Sequence, residues 1–308
     1  MADKYRLVTR SDFDGIVCAV LLQELDLIDD ISFVHPKDMQ DGAVDINDRD
    51  ITTNLPYVEG VHLAFDHHAS EVIRVGEKAN YIIDANAPSA ARVLYEYYGG
   101  AEQFPNISAD LMEAVDVGDS AQFALEDVLN PTRWALLNFL MDARTGLGRF
   151  REFRIPNYKL MMDLIGFCRV HTIEEILELP DVKERVDVYF EHEEKAKAQI
   201  QSAATVHGNL VVLDLRDATE IWATNRFMIY ALYPQCNISI HLMSGKQDLN
   251  RVFAIGKSIF DRGSKTDVGE LCLHYGGGGH TAAGTCQVDT PDTDKVLGEL
   301  IAKITADG

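Results

Sequence analysis

A chain of 308 residues, 46% of them hydrophobic, is long enough for two domains and apolar enough to bury a core in each, which excludes wholesale disorder. Its formal net charge of −21, from 49 acids against 28 bases, excludes a protein that grips long duplex nucleic acid through its whole surface. Such binding comes mostly from Lys and Arg on phosphates. No apolar run reaches the ~18 residues of a membrane span, and the opening residues Met1 to Arg6 carry no apolar signal segment, so no membrane partner is expected and the expected location is cytoplasmic. Cys18, Cys168, Cys236, Cys272 and Cys286 are odd in number and scattered, which suits a reducing compartment and argues against a cysteine zinc site.

Taken in order, residues 5–10 read as a first strand, and the apolar spacing of 15–27 as a helix that opens directly after Asp12-Phe13-Asp14-Gly15. Residues 31–35 read as a second strand, followed by a polar loop. The short run Ala43-Val44-Asp45 reads as a strand tipped with an acid. Residues 61–65 read as a strand that delivers Asp66-His67-His68; 79–83 is a further strand and 90–98 a helix. From 108 to 169 the pattern is helical, and 181–204 reads as one long charged helix. Strands and helices alternate again afterwards: strands at 210–213, 237–242, 251–256 and 285–288, with helices at 225–233, 268–275 and from about 294. The expected class is α/β: a mostly parallel sheet flanked by helices, then a smaller mixed α/β domain. The expected division is a catalytic domain over 1–185, a linking helix over 186–205, and a substrate-binding domain over 206–308.

Open α/β sheets bind ligands beyond the carboxyl ends of their strands. Strand ends tipped with Asp12, Asp14, Asp45 and Asp66-His67-His68 gather carboxylates and imidazoles at one edge. Like charges so close repel and lose hydration, so they are expected to neutralise by binding cations. Carboxylate and imidazole together suit Mn, Mg, Fe or Zn. Alone, Asp-x-Asp-Gly is more often an ordinary turn that caps the next helix; His67 and His68 beside Asp66 turn the reading toward a metal or phosphate site.

The pattern resembles the DHH phosphoesterase superfamily, which includes manganese-type pyrophosphatases, exopolyphosphatase-related proteins, RecJ-type exonucleases, nano-RNases and cyclic-dinucleotide phosphodiesterases. The resemblance rests on Ser11-Asp12-Phe13-Asp14-Gly15, on a lone Asp at a strand end matched to Asp45, on Asp66-His67-His68, and on Asp119-Ser120-Ala121-Gln122-Phe123 at a helix end, with Asp116 as the rival. Gly276-Gly277-Gly278-Gly279-His280, followed by Ala282-Ala283-Gly284, resembles the glycine signature of the family's associated substrate domain.

The resemblance implies a hydrolase that uses up to two Mn2+ or Mg2+ ions. Asp14, Asp45, His67 and Asp119 would hold one; Asp12 and a shared Asp45 would hold the other. Members often carry a His shortly before Asp-x-Asp; here those places hold Val8 and Arg10. The second ion is therefore expected to be weak, with Arg10 acting as a fixed cation on substrate phosphate. His68 would contact the phosphate or leaving group and Asp66 would orient the imidazoles. Gly276, Gly277, Gly278, Gly279 and His280 would hold the rest of the substrate, with Arg226, Arg251 and Lys257 as further candidates. The implied substrate is small: a short oligonucleotide, a nucleoside bisphosphate or a cyclic dinucleotide. The alternatives are a polyphosphate hydrolase and a catalytically weak nucleotide-binding regulator; a homodimer is compatible with all three.

Overall fold

The computed structural model describes residues 4–150, 152–245 and 249–308. The chain divides into two compact units, one of residues 1–123, 131–143 and 147–187, the other of 124–130, 144–146 and 188–308. The division falls inside the helix Pro180–Ala203, the long charged segment of the sequence.

The first unit is built on Tyr5–Arg10 (β1), Ile28–Val34 (β2), Asp50–Thr53 (β3), Leu63–Asp66 (β4) and Tyr81–Ile83 (β5). They form one sheet in the order β2-β1-β3-β4-β5, with every pairing parallel. In this order the chain leaves β1 in one direction to make β2 and returns on the other side to make β3. The switch lies between β1 and β3, where doubly wound sheets open a crevice at their carboxyl edge. The register there is locked from inside: Thr9 pairs with Thr53, whose hydroxyl donates to Thr9 Oγ1 at 2.7 Å, both side chains being buried.

One sequence expectation fails in this unit. Ala43-Val44-Asp45 is not a strand; it lies in irregular chain, and Asp45 is exposed. The strand between β1 and β4 is β3, which starts five residues later. Arg6 makes the difference. Its guanidinium binds the buried Asp50 carboxylate at 2.7 Å and the Asp45 carbonyl at 2.7 Å. Asp45 is thereby tied near the start of β1, about 13 Å along the strand from Arg10 at ~3.3 Å per residue.

The second unit holds Ala204–His207 (β6), Leu210–Asp214 (β7), Ile238–Ser244 (β8), Asn250–Lys257 (β9), Gly278–His280 (β10) and Ala283–Asp289 (β11). They form a mixed sheet in the order β10-β11-β9-β8-β7-β6, in which only β7 and β8 pair in parallel. Leu210, Val212, Ile238, Ile240, Leu242, Phe253 and Ile255 face the helices Val268–His274 and Thr293–Asp307 across a closed core.

The glycine segment, which the resemblance assigns to substrate binding, takes a regular conformation. Gly278–His280 is an exposed edge strand hairpinned onto β11, and Ala283-Gly284 belongs to that strand. The glycines have a packing reason: a Cβ on Gly277 would stand 2.1 Å from the Thr285 carbonyl oxygen, whereas one on Gly278 would meet nothing. Gly277→Ala is therefore expected to lower stability by about 1–3 kcal/mol through overpacking, and Gly278→Ala to leave the midpoint of thermal or urea unfolding nearly unchanged. Equal midpoints for the two variants would contradict this packing account.

Candidate metal centre and active site

The site is assembled where β1, β3 and β4 end. After β1 the chain turns sharply into the helix Phe13–Glu24, whose N-cap is Asp12. The turn requires glycine, because a Cβ on Gly15 would lie 2.0 Å from the Arg10 carbonyl oxygen. It sends the two acids to different partners. Asp12 accepts from the Gly15 amide at 3.0 Å and pairs with Arg10 Nε at 3.0 Å. Asp14 turns inward, 2% exposed, and accepts from the Ala90 and Ala91 amides at 3.0 and 2.8 Å. Those amides open the helix Ala90–Tyr97, whose first turn is an electropositive end suited to a carboxylate. Burial nevertheless pushes the Asp14 pKa well above the usual carboxylate value, with the Asp119 charge adding to it.

At the end of β4, Asp66 is 1% exposed and acts as an orienting group. Its Oδ1 accepts from His68 Nδ1 at 2.7 Å and from the His67 and His68 amides at 2.8 and 3.3 Å, while its Oδ2 accepts from the Tyr81 hydroxyl at 2.8 Å. Burial, reinforced by the Asp66 charge, drives the Tyr81 pKa far up, so this phenol stays a donor. His68 is thereby fixed with Nδ1 toward the carboxylate and Nε2 on its outer side.

His67 turns the other way. Its Nδ1 contacts the Ala87 carbonyl at 3.3 Å, which assigns the proton to Nδ1 and leaves the lone pair on Nε2 in the neutral ring. That Nε2 lies 2.9 Å from Asp119 Oδ2, yet it is buried with no aligned hydrogen-bond partner among the described residues. Asp119 ends the helix Ala109–Asp119. The rival Asp116 is occupied elsewhere, accepting from Ser89 Oγ at 2.8 Å and from Arg92 Nε at 2.9 Å.

Asp14, His67 and Asp119 each offer one ligand atom, and the three atoms lie within 4.8 Å of one another. Two carboxylates and an imidazole with its lone pair unused form a donor set that fits a divalent ion of the Mn or Mg kind. Without an ion, the imidazole supplies the missing charge. Burial opposes protonation of His67, but Asp119 at its Nε2 outweighs it and lifts the pKa to about 9, while His67 in turn holds Asp119 below its usual value despite burial.

The remaining expected residues fall as follows. Arg10 lies at the site, paired with Asp12. Asp45 does not. At the carboxyl end of β3 stands Asn54, which the sequence reading did not single out. It is 1% exposed, sits in the left-handed region at φ 55°, and donates from Nδ2 to both Asp12 oxygens at 3.3 Å. Asn tolerates that conformation better than most side chains, and an Asn closing the run Ile-Thr-Thr was the available signal. Tyr81 was also missed. In the second unit, Lys257 Nζ donates to the Ser264 carbonyl at 3.0 Å, Arg226 stacks on Phe227 at 4.3 Å, Arg251 lies on β9, and His280 is exposed on β10.

No family model matches the chain, and no curated protein matches it. Solved structures do. A pGpG-specific phosphodiesterase, PggH, from Vibrio cholerae is 63% identical over 99% of this chain and 100% of its own, with a TM-score of 0.87. RecJ from Thermus thermophilus in complex with Mn2+ is 15% identical over 98% of this chain and 52% of its own, with a TM-score of 0.57. CDC45 from Entamoeba histolytica is 10% identical over 98% of this chain and 95% of its own, with a TM-score of 0.51. The last two show likeness of fold.

Metal binding must displace the His67 proton below its pKa of about 9. Affinity for Mn2+ is accordingly expected to rise with pH, by about tenfold per unit for a single displaced proton, and to level off above that pKa. Calorimetry in buffers of different ionisation enthalpy should record at least one proton released per ion at pH 7.5. Binding indifferent to pH would contradict the assignment of His67 as a ligand.

Proposed function

From the premise that this chain belongs to the DHH phosphoesterase superfamily, we propose that it hydrolyses the internal phosphodiester of a 5′-phosphorylated dinucleotide of the pGpG type, giving two mononucleotides. The observation that carries this reading is the 63% identity to a pGpG-specific phosphodiesterase along essentially the whole chain.

When bound at Asp14, His67 and Asp119, a divalent ion of the kind recorded with RecJ supplies an activated water and neutralises charge on phosphate. The protein supplies the rest. Arg10 sets a permanently charged guanidinium beside the centre, with five donors of which Nε faces Asp12, so it suits the non-bridging phosphate oxygens. His68, held by Asp66 through Nδ1, is proposed to act in its imidazolium form, giving the Nε2 proton to the leaving ribose oxygen and ending as the neutral ring. Tyr81 and the two backbone amides keep Asp66 aligned, so the imidazole keeps one orientation. The few bases on a chain of net charge −21 favour a short substrate over a long polyanion. Gly276 to His280, Arg226 and Arg251 are proposed as additional substrate contacts, and Lys257, already engaged by a loop carbonyl, as a weaker one.

The test is Mn2+-dependent turnover of pGpG, pApA, a longer oligonucleotide, pyrophosphate and polyphosphate. The expected outcome is pGpG cleaved to two GMP with a kcat/KM at least about tenfold above the other substrates. Preference for polyphosphate, or binding of pGpG without turnover, would overturn it. His68→Ala is expected to lower kcat by about 10²–10⁴ while Mn2+ affinity is kept; a wild-type kcat in that variant would remove His68 from the chemistry.

A further inference from the structure

The geometry points to a centre built for one resident divalent ion, in which the Arg10 guanidinium and the Asn54 carboxamide occupy the place of a second cation at Asp12. This rests on the reading of Asp14, His67 and Asp119 as the ion's ligands.

The first observation is how fully Asp12 is served by nitrogen donors. Its Oδ2 pairs with Arg10 Nε at 3.0 Å, its Oδ1 accepts from the Gly15 amide at 3.0 Å, and Asn54 Nδ2 lies 3.3 Å from both oxygens. A guanidinium does not lose its charge at any ordinary pH. The Asp12 charge is thus already balanced by a fixed cation, and a metal approaching this carboxylate would have to displace one positive group with another. Asp14 and Asp119 offer two carboxylates at one place, a charge that one divalent ion cancels.

The second observation concerns the position of Asn54 and the other end of its side chain. Two divalent ions about 3.5–4 Å apart repel each other, and a carboxylate at the strand end between Asp12 and His67 would offset that repulsion. That strand end carries a neutral side chain, and Asp45, the acid expected to bridge, is exposed near the start of β1. The Asn54 amide group has one sensible orientation. Nδ2 must face Asp12, because its oxygen would be repelled there. Oδ1 is then left as a neutral acceptor, and it is buried with no hydrogen-bond partner among the described residues. A buried carbonyl oxygen without a donor is costly to leave so. Water, or a hard cation that accepts neutral oxygen ligands, satisfies it. Asn54 therefore contributes an oxygen without adding the negative charge that would recruit a second ion.

The experiment is a count of bound Mn2+ by equilibrium dialysis with metal analysis, read alongside low-temperature electron paramagnetic resonance of the bound ion. The samples are the wild-type chain, His67→Ala, Asn54→Asp and the double variant Arg10→His/Asn54→Asp, with circular dichroism to confirm folding. One Mn2+ per wild-type chain with an uncoupled spectrum is expected, together with two ions and a spin-coupled spectrum in the double variant. Two ions of similar affinity in the wild-type chain would overturn the inference and leave the metal centre standing. One ion in the wild type and still one in a folded double variant would overturn the assignment to Arg10 and Asn54. No Mn2+ bound by the wild type, or a count unchanged in His67→Ala, would overturn the metal reading itself. The wild-type count decides even where the double variant does not fold.

Discussion

Everything at this site follows from one electrostatic constraint: the Asp14 carboxylate is buried beside the Asp119 carboxylate. Two such groups cannot both stay ionised in a poorly solvated position without a cation. The protein answers in graded ways. Helix amides at Ala90 and Ala91 offset part of the cost at Asp14. The His67 ring takes up a proton against its own burial and supplies the rest. This is a resting arrangement that a divalent ion improves on, since it brings two charges where an imidazolium brings one.

The backbone exists to make that crowding possible. The parallel order β2-β1-β3-β4-β5 opens its crevice between β1 and β3 and leaves the end of β4 beside it. Gly15 lets the chain double back on the Arg10 carbonyl, so Asp12 and Asp14, two residues apart, take different roles. The buried Thr9–Thr53 hydrogen bond fixes where β1 and β3 stop. Successive residues after β4 divide the labour again: His67 turns toward Asp119, and His68 turns to the Asp66–Tyr81 support. A histidine pair would be ambiguous without that support, because either ring nitrogen can carry the proton.

Much of this was legible in the sequence, and what was not has identifiable causes. The apolar runs before Asp12 and Asp66 gave β1 and β4, and the alternation of strands and helices gave a parallel sheet. Asp119 was legible from the residues after it, whereas separating it from Asp116 needed the Arg92 pairing that only the fold displays. β3 was hidden because half of it is threonine: Thr52 and Thr53 are buried polar residues in a strand of four. Ala43-Val44-Asp45 looked more like a strand because of its apolar pair, and Asp45 followed from that slip. Asn54 was missed because the search was for charge, and its contribution is a neutral oxygen and an amide aimed at Asp12. In the glycine segment, the close approach of Gly277 to β11 was not legible, because it depends on a strand pairing that only the fold displays.

The central claim is that Asp14, His67 and Asp119 share a cation. The most direct measurement is anomalous scattering from crystals of the chain grown with Mn2+. The account predicts a strong manganese peak about 2.0–2.3 Å from a carboxylate oxygen of Asp14, from His67 Nε2 and from a carboxylate oxygen of Asp119. Crystals with manganese in the mother liquor and no peak among these three side chains, or a peak held by other residues, would contradict it.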